Sequence, residues 1–274
     1  MDRKKLIDVK EILHQKAPAL AKKIPTFLVN YLIRMIHQDE INDIIARYHD
    51  MDGAAFMQAL VKEFDLTLEV NGEEYIPADG KKYIFASNHP LGGLDGVCIA
   101  ALLGQRYESE ICCPVNDLLL FIPNLQSIFV PINKHGSQGR HVARKIEEAF
   151  ASDRQILTFP AGLCSRKQKG KIRDLEWKKS FIQKAIEYQR DIVPVFFEGQ
   201  NSNFFYRLAN FRKQFGIKMN IEMLYLPDEM FKQRHRLFRL HFGTPIAWQT
   251  FDGSKKPAEW AEWVKQKVYL LKDK

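Results

Sequence analysis

The sequence lacks the marks of several large function classes. No window holds 18 uninterrupted apolar residues, so a membrane-spanning helix is not expected. The longest apolar-rich segment, DLLLFIPNLQSIFVPI, is broken by Pro123, Asn124, Gln126 and Pro131. The opening residues, MDRKKLIDVKEILHQ, are charged and contain no signal-peptide apolar core. Four cysteines occur, Cys98, Cys112, Cys113 and Cys164. They form no Cys-x-x-Cys pair, and no Cys/His group has zinc-finger spacing. Buried thiols in a reducing compartment are the expectation. There is no Gly-x-Ser-x-Gly elbow, no G-x-G-x-x-G, no P-loop, no internal repeat and no low-complexity run. These absences argue against secretion, a zinc module, an elbow-type serine hydrolase and the common nucleotide-binding loops. They leave attachment to a membrane surface open.

What is present is enough for a packed core: 274 residues, 46% hydrophobic and 27% charged, which argues against disorder. The net charge of +8 points to an anionic partner, whether nucleic acid, a lipid headgroup surface or a phosphorylated or carboxylated substrate. Residues 1–63 read as helices, with i, i+3, i+4 spacing in KKLIDVKEIL and INDIIARYH. PTFLVNYLIRMI opens on Pro25 and is apolar around most of its circumference. Residues 1–34 carry eight Lys/Arg against three Asp/Glu, a net of +5. A surface-lying membrane helix and a helical cover on the next domain both fit this segment.

Residues 64–274 change texture. KYIFASN, EICCPV, SIFVPI, QILTFP, DIVPVFF, NIEMLYL and LFRLHFG read as strands. DGVCIAALLG, GRHVARKIEEAF, WKKSFIQKAIEYQ and AEWAEWVKQKVYLL read as helices, and NKHGSQG, SRKQKGKIRD and FDGSKKPAE as surface loops. The alternation predicts an α/β domain with a mixed, mostly parallel sheet flanked by helices, preceded by the N-terminal helical segment.

The candidate chemistry lies in ASNHPLGGLDGVC, where His89 directly follows a strand and Asp95 stands six positions on. Sites in open α/β sheets lie beyond the carboxyl ends of strands. A carboxylate that orients an imidazole and stabilises the imidazolium makes it an effective base. Gly92 and Gly93 allow the chain to fold back so that the two side chains meet. A structural hydrogen-bonded pair is the other reading of the same spacing. No activated nucleophile is evident, so a dyad here deprotonates a substrate hydroxyl or amine. No third and fourth metal ligand can be named, and no metal is expected.

NHPLGGLDG followed by FPAGLCSRK resembles the glycerolipid and lysophosphatidic acid acyltransferase superfamily, whose first block is Asn-His-x4-Asp and whose third is Phe-Pro-Glu-Gly-Thr-x-Ser. FVPINK (129–134) is similar to its second block and IVPVFF (192–197) to its fourth, so the resemblance spans about residues 80–200. It implies that His89 is the base and Asp95 its orienting partner. It also implies that Phe159, Pro160, Gly162, Ser165 and Arg166 help bind the acceptor's anionic head. Lys134 supplies a basic contact, and Val193 and Pro194 lie on the acyl side.

The chain departs from the family pattern twice. Five residues, not four, separate His89 from Asp95, a form that hemolysin-annotated bacterial relatives share. The third-block glutamate is Ala161. Because that glutamate organises the glycerol-phosphate site, its loss makes an acylated amino-acid lipid, as in ornithine or glycine lipid synthesis, a credible acceptor beside lysophosphatidate.

The resemblance therefore implies an acyltransferase of the glycerolipid type. It moves a fatty acyl group from acyl carrier protein or coenzyme A to a lysolipid hydroxyl, without cofactor, peripherally at the cytoplasmic face of a bacterial cell membrane. A lipid-binding or membrane-perturbing protein without turnover is the alternative. From Arg166 to Lys179 seven Lys/Arg face two acids, which fits a solvated loop or a rim for headgroups or an acidic carrier. No nucleic-acid partner is expected, because Phe159 and Trp177 beside this run are not an interleaved stacking series. His135 is a further candidate for lining the site.

Overall fold

The computed structural model describes residues 6–16, 18, 23–115, 122–132 and 139–273. In chain order, α1 (Val9–Lys16), α2 (Thr26–Met35), α3 (Gln38–Arg47) and α4 (Gly53–Glu63) precede β1 (Thr67–Asn71) and β2 (Tyr83–Ser87). Then come α5 (Leu94–Arg106), β3 (Ile111–Val115), β4 (Phe129–Pro131), α6 (Gly139–Ala151) and β5 (Gln155–Thr158). A small hairpin, β6 (Arg166–Gln168) and β7 (Lys171–Arg173), leads to α7 (Ser180–Glu187), β8 (Asp191–Phe197) and α8 (Asn203–Gln214). The chain closes with α9 (Leu226–Phe231), β9 (Leu237–Phe242) and α10 (Pro257–Leu270).

Seven strands form one sheet in the order β1-β9-β8-β2-β5-β3-β4. Only the β8–β9 pairing is antiparallel. The expected α/β architecture with a mixed, mostly parallel sheet is therefore present. The central strands explain it. Every residue of β2, and all of β8 after Asp191, is buried, as a strand covered on both faces requires. Successive side chains alternate between two cores. Tyr83 and Phe85 pack with Phe56 and Leu60 of α4 and with Ile99 of α5. Ile84 and Ala86 pack with Phe181 and Ile182 of α7 and with Val264 of α10.

Parallel pairing also locates the site. β5 lies beside β2 with Ile84 opposite Ile156 and Ala86 opposite Thr158. Both strands therefore end on the same edge, and the segments leaving them, Asn88–His89 and Phe159–Pro160, emerge side by side. β8 flanks β2 on the other side, with Ala86 opposite Pro194.

The structure corrects four local expectations. NIEMLYL is not a strand: Ile221–Tyr225 forms a 3-10 turn that runs into α9, whose first turn accommodates Pro227. SRKQKGKIRD is not only a loop, because Arg166–Gln168 and Lys171–Arg173 pair antiparallel around a turn in which Gly170 has φ +80. TLEVN adds an unforeseen edge strand, β1, with alternating half-buried and exposed residues. α8, to which the sequence reading gave no element, is capped by the Ser202 hydroxyl accepting from Phe205 N.

The N-terminal helices are helical as expected. Ile44, Ile45, Ala54, Met57 and Phe64 share the core that β2 and α5 form. At Gly104 of α5 an added Cβ would stand 2.2 Å from Ala54 Cβ, so α4 and α5 pack with almost no side chain between them. Among the described residues no helix is long and apolar enough to cross a membrane. The four cysteines are buried and unpaired.

Candidate active site

His89 leaves the end of β2, and Asp95 lies in the first turn of α5. The five residues between them form a tight return. Gly92 takes φ +77, a left-handed conformation open to glycine, while Gly93, at φ −177, directly precedes the helix. His89 Nδ1 and Asp95 Oδ2 are 3.0 Å apart. Asp95 is fully buried, and its carboxylate accepts three further bonds, from Leu91 N (3.0 Å), Gly93 N (3.1 Å) and Gly96 N (2.9 Å). A buried carboxylate needs such donors, and the N-terminal end of α5 adds a favourable dipole. The hydrogen bonds and His89 together hold the Asp95 carboxyl below the usual carboxylate range, against the opposing effect of burial.

The ionised Asp95 accepts, so Nδ1 of His89 carries the proton and Nε2 is left with its lone pair. Burial disfavours the imidazolium, but the Asp95 charge and hydrogen bond override it, so the His89 pKa lies above its ordinary value. The imidazole ring lies 4.3 Å from the Phe159 ring, tilted by 32°. Gly96 also lies against Phe159: a Cβ there would stand 3.5 Å from that ring.

The backbone of His89 is fixed as firmly as its ring. Its carbonyl accepts from Ser165 N at 2.7 Å, and its N–H donates to Asp174 Oδ1 at 3.2 Å. Ser165 Oγ donates to the same Asp174 oxygen at 2.6 Å, Trp177 Nε1 to the other at 2.8 Å, and Asp174 N donates to Tyr269 OH at 2.8 Å. Burial raises the Asp174 carboxyl above its ordinary pKa despite these donors. The preceding residue, Asn88, bridges to β8: its amide donates to Phe197 O at 3.0 Å and its carbonyl accepts from Phe197 N at 2.7 Å.

The structure thus brings together His89, Asp95, Phe159 and Ser165. Pro160 and Gly162 shape the turn beside them: Gly162 N donates to Phe159 O at 2.9 Å, Pro160 holds the second turn position, and Gly162 has φ +68. Val193 and Pro194 are buried in β8, one strand away from the segment that bears His89. Lys134 and His135 lie outside the described residues.

Arg166 stands apart from the open anion contact expected of it. Its guanidinium is buried and engages Glu222 Oε1 at 2.8 Å and Cys164 O at 2.6 Å, beside the Phe205 ring. Lys178 is placed differently. It is exposed, and its amine stands over the third-block turn, 2.9 Å from where a Gly162 Cβ would lie. Among the described residues no carboxylate pairs with it.

Asp174 and Tyr269 did not stand out in the sequence, and Asn88 and Trp177 appeared only as the first residue of the first block and as an aromatic beside the basic run, with no role assigned. The one signal for Asp174 was its place as one of two acids in a basic run. Among the described residues no cluster of three or more His, Cys, Asp or Glu could hold a metal ion.

The geometry makes a specific demand on the two glycines. Gly92→Ala would strain a left-handed residue and place a Cβ 3.0 Å from Cys164 and Leu226 side-chain atoms. It should destabilise by about 1–2 kcal/mol and lower turnover by displacing His89 from Asp95. Gly93→Ala meets nothing within 4 Å and should leave both unchanged. Thermal melting and steady-state rates of the two variants check this, and equal effects would refute it.

Comparison with known proteins places the chain in a family. A model of the family described as Acyltransferase matches residues 11–274. A relative from Bacteroides thetaiotaomicron, named lyso-glycine lipid O-acyltransferase, is 53% identical over 266 residues, covering 97% of both chains. A protein of the same name from Phocaeicola vulgatus is 51% identical over 266 residues, covering 97% of this chain and 95% of that one. A solved structure, the 1-acyl-sn-glycerophosphate acyltransferase PlsC from Thermotoga maritima, has a TM-score of 0.47 and 17% identity, covering 88% of this chain and 91% of that one. With a family model spanning nearly the whole chain and relatives above half identity, the chain belongs to the acyltransferase family and is an acyltransferase.

Proposed function

We propose that this protein acylates the free hydroxyl of a lyso-glycine lipid, with an acyl thioester of acyl carrier protein or coenzyme A as donor and no cofactor. The observation that carries this reading is the 53% identity, along 97% of both chains, to a protein named for that acceptor. Ala161 is consistent with it, because a buried methyl stands where a third-block carboxylate would meet a glycerol phosphate. Residues 1–63 remain the proposed membrane-facing segment and 64–274 the catalytic domain, at the cytoplasmic face of the cell membrane.

In this reading His89 and Asp95 are the catalytic pair. Nε2 of His89 takes the proton from the acceptor hydroxyl as its oxygen forms a bond to the thioester carbonyl carbon. The C–S bond then breaks, and the imidazolium returns the proton to the departing thiolate. Asp95 stabilises the imidazolium in between and keeps Nδ1 protonated. The Asp174–Ser165–Trp177 cluster holds the His89 backbone, so the ring does not swing out of reach. The acceptor carboxylate is met at the third-block turn by Lys178, which has the exposure that Arg166 lacks, and Lys134 is a second candidate contact.

An acceptor panel tests the assignment. Lyso-glycine lipid, lyso-ornithine lipid and lysophosphatidate are offered with one acyl thioester, and product is read by mass spectrometry. At least tenfold higher kcat/KM for the glycine lipid is expected. Preference for lysophosphatidate would refute the acceptor while leaving the acyltransferase assignment standing.

A further inference from the structure

α8 carries two apolar stripes, and only one of them is buried. On its inner side Phe205 and Tyr206 pack with Cys164 of the third block, and Ala209 is buried. On its outer side Phe204, Phe211 and Phe215 follow i, i+7, i+11, so they line one face, and they are 48%, 52% and 63% exposed. The segment that follows adds Ile217, Met219 and Leu224 at 38%, 65% and 44%. Phe211 and Phe215 lie 4.4 Å apart, so these are contiguous rings and not scattered surface residues.

The patch does not end with α8. Phe204 meets the Tyr225 ring edge-on at 5.0 Å, and the Tyr225 hydroxyl bonds that of Tyr31 at 3.0 Å. Tyr31 belongs to α2, whose Phe27 and Leu28 are 68% and 42% exposed. Tyr225 therefore joins two exposed apolar helices into one surface. The charges along α8 and the segment just after it have one sign. Residues 203–221 contain four Lys/Arg and no Asp or Glu. Of the four, Arg212 is taken by Glu222, while Arg207, Lys213 and Lys218 are exposed with no acidic partner among the described residues.

We infer that residues 203–224 form a second membrane-docking element, continuous with α2, that inserts its rings into an anionic lipid surface. Protruding aromatic and aliphatic side chains flanked by basic ones suit an interfacial helix, since the apolar face enters the acyl boundary and the cations meet headgroups. An acidic carrier protein would need cations at the centre of the patch, where this patch has phenyl rings. The element is rigidly tied to the catalytic loop, because Arg166, at the end of the third block, shares Glu222 with Arg212 of α8. A bilayer seated on these rings would thus hold the third block at a fixed height above the lipid. The inference extends the proposed lipid acceptor by naming the surface through which that lipid is reached.

The test uses the full-length protein and three variants. Co-sedimentation is measured without substrate on phosphatidylglycerol vesicles and on phosphatidylcholine vesicles, and acyl transfer is measured separately in detergent micelles. F211S/F215S/M219S should bind phosphatidylglycerol vesicles roughly tenfold or more weakly while keeping micellar turnover. R207Q/K213Q/K218Q should lose binding to the anionic vesicles only. Deleting residues 1–37 should weaken binding without abolishing it. Unchanged vesicle binding in the F211S/F215S/M219S variant would overturn the inference. So would a raised KM for acyl carrier protein in its place, or a wild-type dimer that this variant dissociates while still binding vesicles. Loss of micellar turnover toward every lipid acceptor in the wild type would instead count against the proposed function.

Discussion

His89→Ala should lower acyl transfer by roughly 10²–10⁴-fold, the range for a positioned acid–base group, while costing only about 1–2 kcal/mol of stability. The two effects separate because the residues around His89 do not depend on its ring. Asp95 keeps its three backbone donors when the imidazole is gone. The backbone bonds of His89 to Ser165 and Asp174 do not involve its side chain. A large fall in melting temperature with turnover preserved would make the pair structural.

Asp95→Asn adds a test that a purely structural role would not meet. The wild-type imidazole must be neutral to act as a base, and its pKa is raised because Asp95 outweighs burial. The acidic limb of kcat/KM should therefore fall at a pH above the ordinary histidine value of about 6.5. Removing the Asp95 charge leaves burial opposed only by the weaker effect of Asp174, so the limb should move to lower pH while the plateau drops. A limb that stays in place in Asp95→Asn would remove Asp95 from the proton-transfer role.

The sheet was legible in the sequence because its strands are short, β-branched or aromatic and bounded by turn residues. The His89–Asp95 pair was legible because both partners sit on one return of chain, where two glycines announce the turn. Contacts set by tertiary packing were not legible. Asp174 is 85 residues from His89, and it comes under the His89 backbone only once β2 and β5 lie parallel and the β6–β7 hairpin folds back. NIEMLYL has the composition of a strand, but its buried acid, Glu222, must reach two arginines, and the chain turns helical to deliver it. NFFYRLANFRKQ confounds periodicity for a different reason. It carries apolar residues on two faces, Phe205, Tyr206 and Ala209 inward and Phe204 and Phe211 outward, so no single apolar stripe marks it as a half-buried helix.

Arg166 shows how tertiary packing can change what a motif residue is free to do. The resemblance implied a contact with the acceptor's anionic head, but Arg166 lies inside an Arg166–Glu222–Arg212 triad. Glu222 is fully buried and receives Arg166 at 2.8 Å and Arg212 at 2.8 Å. Glu222→Ala should therefore destabilise the protein by about 3–5 kcal/mol, because it leaves two guanidinium groups without their counter-charge, one of them buried. For a chain of this size that corresponds to roughly 10 °C in Tm. Arg166→Lys is the sharper variant. It keeps one charge near Glu222 but loses the fork that also binds the Cys164 carbonyl at 2.6 Å. It should lower Tm and, through the loosened third block, reduce kcat toward all acceptors alike, with the acceptor KM little changed. Lys178→Gln should do the reverse, raising the acceptor KM at constant Tm, because an exposed amine over Gly162 carries no core contacts. Melting curves and acceptor titrations of the two variants decide between the residues. A raised acceptor KM with unaltered Tm in Arg166→Lys would mean that the guanidinium leaves Glu222 to meet the acceptor, and the anion contact would return to Arg166.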